Sequence, residues 1–287
     1  MSTTTTQSFT ITPLRYALGA IISGIDMNRP LTHTQWKQLQ AASNQYHVLI
    51  FQGQSLSDQS LFDFATYFGD VFIPPADVPV LASDAQGNVP SVVPVSNKQG
   101  GHTGNVELHP HIDHLWTPRP SKASFLYAVQ VTQDGGQTTW YNLQKAWEAL
   151  DTKTKKQIAA LSLVTYNPFL NEPGEQRPLY RDNNIPTKGK GYEHPLVLTH
   201  PESGRSSLYL SADTEVEIPE LDNEAGKALI ERLRVHTFSS EFAYQHQWQV
   251  GDVVWWDNRS TAHARSPFPS EQIRDLRRVS LAGSRPV

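Results

Sequence analysis

The strand candidates of this sequence are short and do not alternate regularly with helices. Apolar or β-branched runs, such as residues 48–51 and 124–131, are separated by stretches rich in Gly, Pro, Asn and Asp. Helical periodicity is confined to a few segments, including those that follow the N-cap candidates Thr32 and Ser57. This pattern predicts an α+β protein whose strands form a sandwich or a jelly roll, with helices packed outside.

Two long stretches interrupt the pattern. Residues 70–106 and 167–193 are rich in Pro, Gly and Asn, and they read as loops. Loops of this length in a compact domain are commonly either functional lids or disordered segments. Because no internal repeat is found, we expect a single domain over residues 1–287, with lid-like loops at about 70–106 and 167–193.

Composition excludes several classes of site. The 287 residues contain no cysteine, which removes disulfides, zinc ribbons, iron–sulfur clusters and thiol nucleophiles. A metal would therefore be held by His, Asp or Glu. The net charge of −4 is too small to indicate a nucleic-acid or membrane partner. Without a secretory pattern or a membrane-length apolar run, we expect a cytoplasmic protein, monomeric or homo-oligomeric, that acts on a small molecule.

The stretch HPHIDHLW, residues 109–116, is the densest in metal-ligand side chains. On a strand, His111 and Asp113 would face the same side. Together with a distant third ligand they would form a two-histidine, one-carboxylate facial triad, which suits iron(II). A surface H-x-D without metal is the alternative, and a local cluster of His109, His111 and Asp113 is a rival triad. His114 is expected on the other face, in solvent or next to the site.

The C-terminal segment GDVVWWDNRSTAHARSPFPSEQIRDLRRVSLAG supplies distant partners. His263 follows an apolar strand and a polar turn, where a third ligand is well placed. Arg274 and Arg278 share one face of the next predicted strand. A guanidinium binds a carboxylate through two parallel hydrogen bonds and keeps its charge when buried. Two such groups indicate two anionic ligands, or one anion and an ion pair; an ion-paired strand is the structural alternative.

The motifs H-x-D, GG-x-T, WDNR-x-x-x-H and R-x-x-x-R, in this order, carry a family resemblance. The sequence resembles the iron(II)/2-oxoglutarate dioxygenases of the taurine dioxygenase and 2,4-dichlorophenoxyacetate dioxygenase group. Segments such as HVLIFQGQSLS and HPLVLTHPESGRSSLY extend the resemblance from about residue 9 to 283. It implies a double-stranded β-helix (jelly roll) core with flanking helices. The implied cofactors are Fe(II), 2-oxoglutarate as cosubstrate and O2.

The resemblance also implies roles for individual residues. The iron ligands would be His111, Asp113 and His263, and the distal carboxylate of 2-oxoglutarate would be bound by Arg274 and Thr138. Arg278 matches the position that binds the acidic group of the substrate in taurine dioxygenase. Three departures from the family pattern are Pro110 and Ile112 beside the first ligand, Pro74 in place of a substrate-binding histidine, and Asp77 near a tyrosine position. The last two argue against taurine itself as the substrate.

The expected reaction is hydroxylation of a small or medium organic acid, with decarboxylation of 2-oxoglutarate to succinate. Asp113 occupies the position that halogenases leave open for chloride, so the resemblance favours oxygenation over chlorination. Desaturation and oxidative cleavage stay open. No acidic neighbour of Arg278 is evident in the sequence, so we expect an anionic substrate that supplies one. Its apolar body would be enclosed by Val71, Phe72, Ile73, Pro74, Pro75, Phe169 and Leu170.

Two alternatives remain at this stage. One is a tailoring oxygenase that acts on a natural-product intermediate, with the two loops reshaped around it. The other is a non-catalytic metal-binding scaffold on the same fold. The presence of His111, Asp113, His263 and Arg274 together argues against the scaffold.

Overall fold

The computed structural model describes residues 9–75, 78–83, 88–171, 175 and 177–287. In these ranges the strands are β1 Thr10–Pro13, β2 Ala20–Ser23, β3 Val48–Phe51, β4 Val93–Ser96, β5 Leu108–His111, β6 Ala123–Gln130, β7 Thr138–Asn142, β8 Ser162–Thr165, β9 Tyr192–Pro195, β10 Val197–Thr199, β11 Ser206–Leu208, β12 Val216–Glu217, β13 Ala243–His246, β14 Val253–Asp257, β15 Thr261–Arg265 and β16 Asp275–Leu281. The α-helices are α1 His33–Tyr46, α2 Asp58–Thr66, α3 Leu143–Ala149, α4 Thr152–Ile158 and α5 Asn223–Thr237.

Two sheets face each other and form the core. The larger has the strand order β1-β2-β3-β14-β6-β16-β4, and the smaller has the order β13-β7-β15-β5. Side chains of Ile50, Val254 and Trp256 from the larger sheet pack against Trp140 and Tyr244 from the smaller one. This arrangement, with helices outside, confirms the predicted α+β fold with a jelly-roll core.

Helices cover the outer face of the larger sheet. Leu39 of α1 and Phe64 of α2 are buried against the strands there. The α1 helix begins after Thr32, whose side chain accepts a hydrogen bond from the Gln35 amide in a capping box. The side chain of Ser57 caps α2 by accepting a hydrogen bond from the Ser60 amide. Both N-caps predicted from the sequence are confirmed, because short polar side chains there satisfy amides that the first turn leaves unpaired.

Residues 247–250 and the stretch 70–106 differ from the predictions made from the sequence pattern. Residues 247–250 do not form a strand; Gly251, with φ 92°, makes a turn there, and the strand lies earlier, at β13. The stretch 70–106 is not without regular structure, because β4 lies at the edge of the larger sheet, antiparallel to β16. In the part of the chain that the structure describes, no helix combines the length and apolar character needed to cross a bilayer.

A double-glycine turn precedes β7. Gly135 and Gly136 both have φ 70°, in the left-handed region that side chains disfavour. A Cβ atom on Gly135 would lie 2.1 Å from the carbonyl oxygen of Pro267, so the two backbones can approach only with glycine there. The carbonyl of Gly136 accepts a hydrogen bond from Arg274 Nε at 3.0 Å. The turn therefore positions the arginine that precedes β16.

We predict that Gly135→Ala destabilises the protein more than Gly53→Ala does. Gly53 has φ 66° but open space around it, so its alanine variant reports backbone strain alone, about 1–2 kcal/mol. Gly135→Ala adds the clash with the Pro267 carbonyl, and overpacking of this kind costs about 1–3 kcal/mol more. Urea unfolding of both variants measures the difference. Equal losses would show that the close approach at Gly135 is not needed.

Candidate metal centre and cosubstrate pocket

A cavity of about 360 Å³ lies between the two sheets. Its lining includes every side chain that the sequence predicted to be functional: His111, Asp113, Thr138, His263, Arg274 and Arg278. Four of these residues lie on the strands β5, β7, β15 and β16, which are far apart in the sequence. Asp113 lies in the turn after β5, and Arg274 directly precedes β16. The fold therefore brings all the predicted site residues into one cavity.

His111, Asp113 and His263 converge at one place in the cavity wall. His111 at the end of β5 lies directly opposite His263 in the antiparallel register with β15. The Nε2 atoms of His111 and His263 lie 3.9 and 4.0 Å from the Asp113 carboxylate oxygens. One ligand atom from each residue falls within 4.8 Å of the others. Atoms spaced in this way can all reach one ion between them at bond lengths of about 2.0–2.2 Å.

The protonation states of this cluster suit a divalent metal. His111 Nδ1 donates to the carbonyl of His109 at 2.8 Å, which leaves its Nε2 lone pair for the site. Burial lowers the pKa of His263 to about 3, so its imidazole is neutral at neutral pH. Burial raises the pKa of Asp113, but the opposing effect, chiefly the charge of Arg278, is larger and holds that pKa well below its usual range. The neutral imidazole of His263, the available Nε2 of His111 and the carboxylate of Asp113 together fit iron(II).

Arg274 and Thr138 lie together at the other end of the cavity. Arg274 is 3% exposed, and its Nη2 donates to Thr138 Oγ1 at 3.3 Å. Thr138 Oγ1 also accepts from Trp248 Nε1 at 2.9 Å. Burial, with the charge of Arg265 as the second cause, lowers the pKa of Arg274 to about 9, so it stays cationic at neutral pH. Among the described residues no carboxylate forms an ion pair with Arg274, so its charge is available to a ligand.

Arg278 has an acidic partner that the sequence did not reveal. Its Nη1 donates to Asp113 Oδ1 at 3.0 Å, in an ion pair between residues 165 positions apart. The expectation that no side chain neutralises Arg278 was therefore wrong, because only the tertiary fold brings β16 to the turn after β5. Its Nε is buried with no hydrogen-bond partner in the part of the chain that is described.

Comparison with known proteins gives the family. The model of the "Taurine catabolism dioxygenase TauD, TfdA family" matches residues 10–280. The chain belongs to this family. It is 29% identical over 278 residues to pentalenolactone F synthase of Streptomyces avermitilis, covering 92% of this chain and 90% of that protein. It is 28% identical to the alpha-ketoglutarate-dependent 2,4-dichlorophenoxyacetate dioxygenase of Cupriavidus pinatubonensis, with 93% and 96% covered.

A solved structure agrees with this assignment. The crystal structure of AAD-2 in complex with Mn(II) and N-oxalylglycine has a TM-score of 0.79 to this chain, with 30% identity over 97% of this chain and 99% of that one. The chain is therefore a TauD/TfdA dioxygenase, an enzyme of the alpha-ketoglutarate-dependent class, which uses Fe(II), 2-oxoglutarate and O2.

The sequence pattern predicted that Asp113 of this TauD/TfdA dioxygenase lies on a strand, and this prediction was wrong. The β5 strand ends at His111, and Asp113 lies in the following turn. The side chain of Asn258 holds that turn in place: its Oδ1 accepts from the Asp113 amide at 3.1 Å, and its Nδ2 donates to the Asp113 carbonyl at 2.8 Å. Asn258 Nδ2 also donates to the carbonyl of Ser121 at 2.9 Å.

The turn that carries Asn258 is itself fixed by buried charges. Asp257 accepts hydrogen bonds from Arg259 Nη2 at 2.6 Å and from His200 Nε2 at 3.0 Å. The sequence predicted a polar turn at residues 257–259 that sets up His263; the structure has this turn at residues 258–260, because Asp257 is the last residue of β14. The sequence missed that Asn258 also positions a second ligand. The WDNR motif contains Asn258, but the sequence could not show that Asn258 binds the main chain of Asp113.

The other histidines of the stretch do not join the metal cluster. The side chain of His109 is 65% exposed and lies 3.9 Å from Glu107. The rival triad is therefore not formed. His114 is buried rather than in solvent: its ring stacks on Phe72 at 4.1 Å, and its Nδ1 is 2.9 Å from Ser121 Oγ. It lines the cavity next to the site.

The remaining cavity wall is largely apolar. Of the loop residues expected to enclose a substrate, Phe169 lines the cavity and Ile73 is 83% exposed. Pro74 is buried, and Asp77 lies outside the described residues. Other lining side chains are Leu81, Val95, Trp116 and Leu126. Asp213, which sequence reasoning missed, also lines the cavity, with its carboxylate 4.0 Å from His111 Nδ1.

We predict that Asn258→Ala weakens iron(II) binding although Asn258 does not face the metal cluster. The variant releases the main chain of Asp113 and leaves buried polar groups unpaired, which costs about 1–3 kcal/mol of stability. Chelator competition measures the metal affinity, and urea unfolding measures the stability. Asn184→Ala is the control, because Asn184 is exposed and bonds only to nearby Asp182. Metal affinity equal to that of the parent would contradict the positioning role.

Proposed function

We propose that His111, Asp113 and His263 bind iron(II), that Arg274 and Thr138 bind the distal carboxylate of 2-oxoglutarate, and that the enzyme hydroxylates a small or medium organic acid. The observation that carries this proposal is the convergence of one ligand atom from each of the three side chains within 4.8 Å. Arg274, a cationic side chain without an ion pair among the described residues, lies in the same cavity.

Iron(II), when bound, would supply the chemistry that couples decarboxylation of 2-oxoglutarate to succinate with oxygenation of the substrate. The chain's own contribution is placement. Arg278 neutralises Asp113 and keeps it ionised, the form that binds metal. The hydroxyl of Thr138 and the guanidinium of Arg274 orient the cosubstrate along the cavity. Trp116 and Phe169 exclude water from the substrate side.

The substrate is proposed to be an anion with an apolar body. Arg278 would share its charge between Asp113 and a substrate carboxylate, since its Nε is not otherwise engaged in the described part of the chain. Relatives include a 2,4-dichlorophenoxyacetate dioxygenase and an (S)-phenoxypropionate dioxygenase. The apolar wall fits such a body. The loops at about 70–106 and 167–193 would cover it within the single domain.

A second candidate is a tailoring oxygenase that acts on a natural-product intermediate. The 29% identity to pentalenolactone F synthase supports it. Two features of the cavity favour a neutral substrate: Arg278 is already paired with Asp113, and Asp213 adds a carboxylate to the wall. Desaturation or oxidative cleavage would then compete with hydroxylation.

We further infer a cytoplasmic enzyme, alone or as a homo-oligomer, without a nucleic-acid or membrane partner. The mild net charge of −4 supports this inference.

We predict that His263→Ala abolishes both tight iron(II) binding and succinate release, because two remaining ligands cannot complete the triad. Chelator competition and a coupled succinate assay measure the two properties. The matched control is His109→Ala, which removes an exposed histidine from the neighbouring strand. Full turnover by His263→Ala would contradict the ligand assignment.

We predict that Arg278→Ala distinguishes the two substrate classes. With an acid substrate, the variant should lose most activity on the acid, and the parent should discriminate against the neutral amide of the same compound. The loss of a buried charge pair is worth about 2–5 kcal/mol. Because Arg278 also supports Asp113, iron(II) affinity is measured in parallel. If the parent turns over acid and amide equally, or if the variant loses both alike, the natural-product candidate moves ahead.

A further inference from the structure

A second arginine lies at the Arg274 end of the cavity. Arg265 follows His263 by two residues on β15, so both side chains face the space between the sheets. Across the smaller sheet Arg265 is paired with Leu108 of β5 on one side and with Thr138 of β7 on the other. His111 and His263 form the next cross-strand pair on the same face of this sheet, so each set of paired residues is one row across the sheet. Arg265 therefore stands one row beyond the metal cluster, beside Thr138.

The Arg265 guanidinium is buried and lacks an acidic partner. The residue is 4% exposed, its Nη2 donates to the Val106 carbonyl, and its guanidinium carbon lies 5.1 Å from the centre of the Phe268 ring. Its Nε and Nη1 are buried without hydrogen-bond partners in the described part of the chain. It also forms no ion pair with any described residue. Two of its nitrogen atoms therefore have no partner in the described residues and are left for a ligand.

Arg265 and Arg274 place two like charges at one end of a buried cavity. Both guanidiniums are buried in the cavity wall, and an arginine side chain keeps its charge in such a place. An unpaired interior charge is costly, and two neighbouring ones also repel each other. Arg278, by contrast, is neutralised by Asp113. No carboxylate of the described residues compensates the Arg265 and Arg274 pair, and an anion that enters the cavity would do so.

We propose that Arg265 and Arg274 together bind the distal carboxylate of 2-oxoglutarate, with the Thr138 hydroxyl beside both. This rests on the proposed function, which places the other end of the cosubstrate near His111 and His263. Two residues along a strand span about 6.6–6.8 Å, comparable with an extended five-carbon diacid. Two guanidiniums would also select a dianionic cosubstrate over a 2-oxo acid that has no second carboxylate.

The test compares two cosubstrates of the same chain length. Calorimetric titration of the Mn(II)-loaded full-length protein measures the affinity for 2-oxoglutarate and for 2-oxopentanoate, in which a methyl group replaces the distal carboxylate. Arg265→Met keeps an apolar stem next to Phe268 and removes the charge. We expect this variant to bind 2-oxoglutarate about 10- to 100-fold more weakly, as for a lost hydrogen bond to a charged group. Its affinity for 2-oxopentanoate should stay unchanged.

Thermal unfolding separates this role from a structural one. Removal of an unpaired charge should leave the Tm of the ligand-free protein unchanged or higher, and 2-oxoglutarate should raise the Tm less than in the parent. If Arg265 serves only to donate a hydrogen bond to the Val106 carbonyl, the Tm of the ligand-free variant should fall and its affinity for both 2-oxo acids should decrease alike. That result overturns the proposal. Should circular dichroism show that Arg265→Met is unfolded, Arg265→Lys is used. A loss of affinity for 2-oxoglutarate alone supports the proposal, and an equal loss of affinity for both 2-oxo acids overturns it.

Arg274→Gln distinguishes failure of this proposal from failure of the proposed function. If Arg274→Gln weakens 2-oxoglutarate binding and Arg265→Met does not, Arg274 anchors the cosubstrate alone and only the two-arginine proposal fails. If neither variant weakens it, the cosubstrate binds elsewhere and the proposed site fails as well.

Discussion

The side-chain amide of Asn258 connects the two halves of the candidate metal centre. His111 and His263 are placed by the register of β5 with β15, but Asp113 lies beyond the end of β5, where no ladder fixes it. Asn258 replaces the missing ladder with hydrogen bonds to both the amide and the carbonyl of Asp113. Because Asn258 lies in the turn that leads into β15, one turn orients the carboxylate and begins the strand that carries His263.

Buried charge is the second organising feature of the cavity. Arg278 compensates Asp113, so the carboxylate of the metal cluster is paired with a guanidinium before any ligand arrives. The opposite end contains Arg265 and Arg274, which form no ion pair among the described residues. The charge is therefore balanced where a divalent cation with open coordination positions would bind, and left positive where an anion would bind. This asymmetry gives the cavity a direction for a cosubstrate with two different ends.

Much of the fold and the site could be predicted from the sequence, since local signals are strong there. Thr32 and Ser57 mark helix starts through their own side chains, and H-x-D, GG-x-T and R-x-x-x-R carry family resemblance over nearly the whole chain. The features that the sequence did not reveal share one cause, which is that they depend on contacts between residues far apart in the chain. The pair of Arg278 with Asp113, the hydrogen bonds of Asn258 and the position of Asp213 depend on how strands approach in space. The side-chain alternation of a strand could not show that β5 ends before Asp113.

The uncompensated charge of Arg265 and Arg274 has a kinetic consequence. Low-dielectric walls focus the field of buried charges, which speeds the arrival of small anions and makes that rate fall as ionic strength rises. Succinate keeps the same distal carboxylate that 2-oxoglutarate presents. If 2-oxoglutarate binds there as proposed, the attraction that captures it would also delay departure of succinate. Exchange of one dianion for the other would then be a salt-sensitive step.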